Sequence, residues 1–461
     1  MARAKKETAL TPEERLQAAL VPDWEWPYKL PENWCWTKIG SISSLHRGVS
    51  YKKTDAHTER RENSCLVMRG GNICEGSIDT EADNIYVDVS LVAENQIVRK
   101  NDIIIVASTG STKVIGRAGI SKMDYLDVAF GAFLLLVRPS TKVNQRYIDY
   151  FFLSDNYRNR IKKLASGINI NNIRGEYITE TLVPLAPLAE QQRIVDRIES
   201  LFTKLDEAKE KAQAVVDSFR TRKAAILHKA FTGELTAKWR EEHGVRMDSW
   251  EVRTLDSVCS SIFDGDHMPP PKAESGIPFL VISNVNTGHL TFENTRFVPQ
   301  EYYDTLSDTR KPQLGDVLYT LVGSFGIPVV VNSKRPFCFQ RHMALLRPID
   351  VSSQFLWYIL QTPEMYDKAS SIATGTAQLT VPIKGLRAMT IPRPNIAEQV
   401  EIVRILDGFF AREQFAKEAA EAVLDQIDLM KKSILARAFR GELGTNDPSE
   451  ESAVELLKQL I

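Results

Sequence analysis

The side chains in this chain best suited to chemistry sit in short loops that mix basic, amide, hydroxyl and glycine residues. The first loop is Arg47-Gly48-Val49-Ser50-Tyr51-Lys52-Lys53. Its cations neutralise phosphates, and its tyrosine is placed to stack or donate a hydrogen bond. The second is Ser108-Thr109-Gly110-Ser111-Thr112-Lys113, followed by Arg117. Small residues there let the backbone come close to a phosphate, with hydroxyls and amides as donors. The third, residues 167–174, supplies Asn169, Asn171, Asn172 and Arg174. Asparagine pairs bidentately with adenine and arginine with guanine, so this loop suits base edges. The second half of the chain has analogous places. They are Asp264 to Lys272 with His267, Gly323-Ser324-Phe325-Gly326, Gln340-Arg341-His342, and Gly375-Thr376-Ala377-Gln378. Any one of these also reads as an ordinary polar turn; their recurrence at matching places in both halves points to nucleic acid. The run Arg158, Arg160, Lys162 and Lys163 fits a phosphate-binding helix face or a solvated one equally well.

Self-sufficient catalysis finds little support. The nearest approach to a phosphate-binding loop, Gly110 to Arg117, has the wrong spacing and no lysine after its second glycine. No dinucleotide fingerprint, nucleophile elbow, Asn-Pro-Pro-aromatic motif of an amino-methyltransferase or H-E-x-x-H motif occurs. The five cysteines (Cys35, Cys65, Cys74, Cys259, Cys338) form no CxxC pair, so neither a disulfide framework nor a metal site is expected. A reducing, cytoplasmic setting is the plain reading. No apolar run reaches the length of a membrane span. The formal charge of −1 excludes a protein that is basic throughout, but not local basic patches.

The elements that position these loops come in two copies. Residues 183–236 and 391–444 align without a gap at an offset of about 208, with roughly 22 of 54 positions identical. Each copy carries a proline (Pro184; Pro392), then Ala-Glu-Gln (189–191; 397–399), and closes on Ala-Phe-x-Gly-Glu-Leu (230–235; 438–443). Between these ends the apolar residues alternate at four and three. In the first copy they include Ile198, Leu201, Leu205 and Val215, with a polar step at Arg222; in the second, Leu406, Phe409, Val423 and Ile427, with a break at Glu413. That spacing is the seam of a coiled coil. A helix from about Ala189 to Phe231 would be ~65 Å long. The other copy is the obvious partner for its seam. The two stretches ahead of the helices are strand-rich and mixed α/β. They share a skeleton, in which Asn101-Asp102-Ile103 corresponds to Gly315-Asp316-Val317 and Arg138-Pro139 to Arg347-Pro348, while their loops differ. The first 35 or so residues, with Trp24, Trp26 and Trp34, form an extension whose apolar content suits docking on this chain or on a partner.

This layout resembles the specificity subunit of type I restriction–modification systems (the HsdS family). The resemblance rests on the two copies of P-(x)4-A-E-Q, the heptad helix and A-F-x-G-E-L, and covers nearly the whole chain. It implies a mixed α/β chain with two target recognition domains joined by two long helices in an antiparallel coiled coil. The segments would be an extension (1–30), a first recognition domain (31–186), its helix (187–236), a second domain (237–394), its helix (395–444) and a tail (445–461). It further implies a non-catalytic subunit that reads a bipartite double-stranded DNA target, one half per domain, with the spacer set by the helices. Two modification subunits would supply S-adenosylmethionine-dependent adenine methylation. Restriction subunits would supply ATP- and Mg-dependent translocation and cleavage. A coiled-coil assembly scaffold without DNA specificity is the competing reading, and an enzyme with an unfamiliar motif a third.

Overall fold

The structure, a computed structural model, describes residues 11–165, 171–265 and 270–461. The two strand-rich stretches fold alike. The first forms a four-stranded antiparallel sheet in the order Ser43–Arg47, Leu134–Pro139, Ile103–Val106, Ala118–Ile120. The second repeats it with Cys259–Asp264, Met343–Pro348, Val317–Thr320, Pro328–Val330. Beside each lies a three-stranded sheet with one parallel pair: Val128–Phe130 with Ser64–Met68, and Cys338–Phe339 with Ile277–Leu280. Ile103–Val106 and Val317–Thr320 are buried on both faces, which is why each is an unbroken run without polar alternation.

The skeleton residues matched between the halves meet in space. Asp102 accepts Arg138 Nε at 2.7 Å and Nη2 at 2.6 Å. Asp316 accepts Arg347 Nε at 3.0 Å and Nη2 at 2.9 Å. Both aspartates are buried, so each bidentate arginine offsets a charge that would otherwise be costly to bury. Asn101 and Gly315, just ahead of them, have φ of 66° and 92°. That left-handed turn explains why an asparagine in one copy stands where the other has glycine.

The chain divides into two compact units: the residues through Lys211 together with Val423–Ile461, and Ala212–Ala422. Each long helix, Leu188–Phe231 and Ile396–Ala438, therefore contributes to both. In the first unit Asp206 pairs with Lys431 at 2.5 Å and Lys209 with Asp428 at 3.4 Å. In the second, Arg222 pairs with Glu413 at 2.7 Å. Residue numbers rise on one helix as they fall on the other, so the helices run antiparallel. The two polar interruptions of the heptads, Arg222 and Glu413, are thus each other's partners.

Ile198, Leu406 and Ile427 are buried, and Leu201, Leu205, Val215 and Phe409 are half-buried. Val423 departs from expectation: it is exposed, because the second seam runs one residue later at alternate steps, through Phe410, Lys417, Leu424 and Lys431. Its lysines lay their stems along the seam and their ammoniums over rings. Lys431 sits 5.0 Å from the Phe202 centroid and Lys223 5.6 Å from that of Phe410. Phe202 and Phe410, and Lys223 and Lys431, are equivalent positions of the repeat, so one pair is made twice.

The N-terminal extension docks on its own chain. Ala19, Val21, Leu30 and Trp34 are buried, while Trp24 stays exposed. The tail helix Ala453–Leu460 buries Leu456 and Leu457 in the same core.

Candidate nucleic-acid interface

The repeated motif proves to be an architectural clamp. In the first unit Glu190 is fully buried and accepts Trp34 Nε1 at 2.8 Å, Asn446 Nδ2 at 2.7 Å and Thr445 Oγ1 at 3.3 Å. In the second, buried Glu398 accepts Trp250 Nε1 at 2.9 Å, Thr236 Oγ1 at 2.7 Å and Arg240 Nη1 at 2.6 Å. Each glutamate thus ties the start of one domain to the segment that follows the other copy's Gly-Glu-Leu. The neighbouring Gln191 and Gln399 accept the backbone N–H of Asn144 and Ser352, both at 2.9 Å, which are the N-caps of equivalent domain helices. The motif phenylalanines close the clamp: Phe439 packs edge-on against Tyr147 and Phe151, Phe231 against Phe355. Gly233 and Gly441 turn the chain at φ of 85° and 73°. The sequence marked these residues as repeated, but their burial was not readable from it.

On that frame the candidate loops converge on one rim in each domain. In the first, Val49 N–H donates to Phe130 O at 2.7 Å, Ala107 N–H to Phe133 O at 2.9 Å, and Ile173 N–H to Ala107 O at 2.7 Å. The second domain repeats the last two links: Leu321 N–H donates to His342 O at 2.8 Å and Val381 N–H to Leu321 O at 2.9 Å. The glycine that ends the first sheet strand is pressed against the same turn in both. A Cβ on Gly48 would lie 2.1 Å from Gly131 O, and one on Gly265 2.1 Å from Phe339 O. No other residue fits either place without moving the turn.

In the first rim Arg47, Lys52, Lys53, Lys113, Asn172 and Arg174 are exposed, and Tyr51, Ser108 and Ser111 half-buried. The strand Asn171–Asn172 pairs with Ser108–Thr109, which joins the second and third loops. A Cβ on Gly110 would meet nothing within 4 Å, so packing does not demand that glycine. Asn169 and His267 lie outside the described residues. In the second rim Lys272, Ser324, Arg341, Thr376 and Gln378 are exposed and Gln340 is half-buried. Arg341 and Gln378 line one cleft with His342, whose pKa is lowered by burial and then by Arg341. Its imidazole is therefore neutral near pH 7.

Two basic residues serve the frame instead. Arg117 Nη1 donates to Ile73 O at 2.9 Å. Arg158 is buried and donates to the carbonyls of Ile115 at 2.7 Å and Lys113 at 3.1 Å, holding the second loop from beneath. Arg158 to Lys163 is therefore not one solvated basic face. The turn Gly131-Ala132-Phe133 escaped the sequence reading altogether. It occupies the place of Gln340-Arg341-His342 but carries no polar side chain. Among the described residues no group of side chains is arranged to hold a metal ion, and no helix is long and apolar enough to cross a membrane.

A family model for the type I restriction modification DNA specificity domain matches residues 31–216 and again 247–424. The chain belongs to this type I restriction–modification specificity family. It is 29% identical to the type I restriction enzyme EcoKI specificity subunit of Escherichia coli (strain K12), over 90% of each chain. It is 27% identical to the StySPI specificity subunit of Salmonella potsdam, again over 90% of each. Among solved structures, the HsdS subunit from Thermoanaerobacter tengcongensis superposes with a TM-score of 0.59 at 21% identity, covering 91% of this chain and 99% of that one. A chain from a study of the assembly and conformational transition of the type I R-M system gives 0.69 at 21%, covering 90% and 100%. These likenesses bear on fold: two specificity domains with their long helices.

Proposed function

We propose that this chain is the DNA sequence-specificity subunit of a type I restriction–modification complex. Each recognition domain reads one half of a bipartite double-stranded target, and the long helices set the spacer. The observation that carries this is the pair of rims: the same backbone links gather the same loops twice, while the side chains they present differ. A protein-assembly scaffold has no need of that combination. Arg47, Lys52, Lys53, Lys113 and Arg174 in the first rim, and Lys272 and Arg341 in the second, meet phosphates or base edges, so affinity falls with salt. The chain supplies no catalytic group. Two modification subunits bring S-adenosylmethionine and methylate adenine, and restriction subunits bring ATP- and Mg-dependent translocation and cleavage. The complex works in the cytoplasm, where the DNA is.

Mapping adenine methylation in cells that express this chain with its methyltransferase partner tests the reading. A bipartite motif with a fixed spacer, present only when this chain is present, is expected. An active methyltransferase whose motif does not change when this chain is omitted overturns it.

A further inference from the structure

The turn at the middle of each rim links the same two strands in both domains. In the first it joins Val128–Phe130 to Leu134–Pro139, and in the second Cys338–Phe339 to Met343–Pro348. It is the best-anchored part of the rim, held by the carbonyls of Phe133 and His342 and by the packed glycines Gly48 and Gly265. Yet its side chains point out: Phe133 is 69% exposed and Arg341 is exposed. A phenylalanine held in water on a rigid turn adds little to folding, since the gain from burying its ring goes unrealised. Around it lies a largely apolar cavity of about 500 Å³, with Val49, Tyr51, Met68 and Leu134 in its wall and Lys53 at its edge. On the second domain's turn a different cleft opens, about 410 Å³, where Asp264, Arg341, His342 and Gln378 stand beside Leu321 and Val381.

We infer that this turn is the principal base-reading element of each domain, and that the halves read by different chemistry. Phe133 makes apolar contact with the C5-methyl of a thymine in the major groove, while Arg341 donates to O6 and N7 of a guanine. The lysines and arginines around each turn hold the phosphates on either side and fix the register. The inference rests on the proposed DNA-specificity function and deepens it. The chemistry of the two base edges matches the two turns, because thymine alone offers a methyl in that groove and guanine alone offers paired acceptors.

The test uses the purified complex with its methyltransferase partner and duplexes carrying the mapped motif. Replacing the contacted thymine by uracil removes only the methyl and weakens wild-type binding roughly 4-fold, by the worth of one buried methyl group. Phe133→Ala binds the two duplexes equally and loses that roughly 4-fold preference at that base pair alone. Replacing the guanine by 7-deazaguanine weakens wild type but not Arg341→Ala, and Arg341→Lys restores part of the preference. Both side chains are exposed, so unfolding temperatures stay at the wild-type value. If wild type gives a bipartite motif but Phe133→Ala and Arg341→Ala leave both half-sequences strict, the turns do not read bases and this inference fails while the proposed function stands. Equal loss of binding to every sequence also overturns it, since that marks a phosphate contact. Absence of any motif with wild type overturns the proposed function itself.

Discussion

Single residues show why a motif can be read wrongly when only its type is known. Glu190 and Glu398 recur in both copies, and a repeated carboxylate invites a catalytic reading. Both are fully buried and spent on hydrogen bonds within the frame. Removing one partner of a buried ion pair leaves the other uncompensated, so Glu398→Ala, which strands Arg240, is expected to cost about 3 kcal/mol or more in a denaturant titration. The DNA target of any folded fraction stays the same. Asp149 is a different case. It is buried with Oδ1 unpartnered and only Arg146 at 3.3 Å, and burial, partly offset by Arg146, raises its pKa to about 6. A carboxylate whose folded pKa lies above its unfolded one lends stability at low pH, and that contribution is lost as pH rises through about 6. Asp149→Asn should therefore remove a component of order 2–3 kcal/mol from the pH dependence between about 4 and 7, and be more stable than wild type at pH 8. An unchanged pH profile would show that the carboxyl is solvated in the folded state. Phe133 marks the limit of reading by residue type: an aromatic among apolar neighbours reads as core, and only its exposure reveals the rim.

Among the elements, the long helices were the most legible part of the sequence, because a heptad repeat states both period and phase. The first seam lies where its apolar residues stand. The second is displaced at alternate steps, because Lys417 and Lys431 occupy seam positions that apolar spacing cannot reveal, their ammoniums resting on Phe219 and Phe202. Arg222 and Glu413 read as two independent flaws and are one ion pair. Arg222→Met alone leaves Glu413 half-buried without its partner and is expected to destabilise by about 1–2 kcal/mol; so is Glu413→Leu alone. The double variant should recover most of that loss, a coupling that a double-mutant cycle by thermal unfolding detects. Additive losses would mean that the pair contributes nothing to the seam. The strand order of the domains was not legible, because short apolar runs with turn residues between them fit several sheets; the matched Asp-Arg pairs were the clue, and the sequence gives no distance between them.

At the scale of the whole molecule, the internal repeat accounts for the way each domain is closed by the end of the other copy's helix. The Gly233-Glu234-Leu235-Thr236 segment is therefore a clamp: Thr236 and Arg240 are held by Glu398, and Gly233 is crowded by Met247. Lengthening belongs in the helices. One added turn in both, about 5.4 Å, is expected to widen the spacer by one or two base pairs at about 3.4 Å each, with both half-sequences unchanged. Altered half-sequences at unaltered spacing would contradict the assignment of spacing to the helices. Which bases are read was not legible, because the same rim carries different side chains in the two halves and base choice depends on how a turn enters a groove.

The most direct test of two independent readers on one frame is an exchange of residues 36–180 for the equivalent stretch of a relative with a known, different target, followed by mapping of the methylated motif. The account predicts that one half-sequence changes to that of the donor while the other half and the spacer remain. A change in both halves, or in neither, would contradict it.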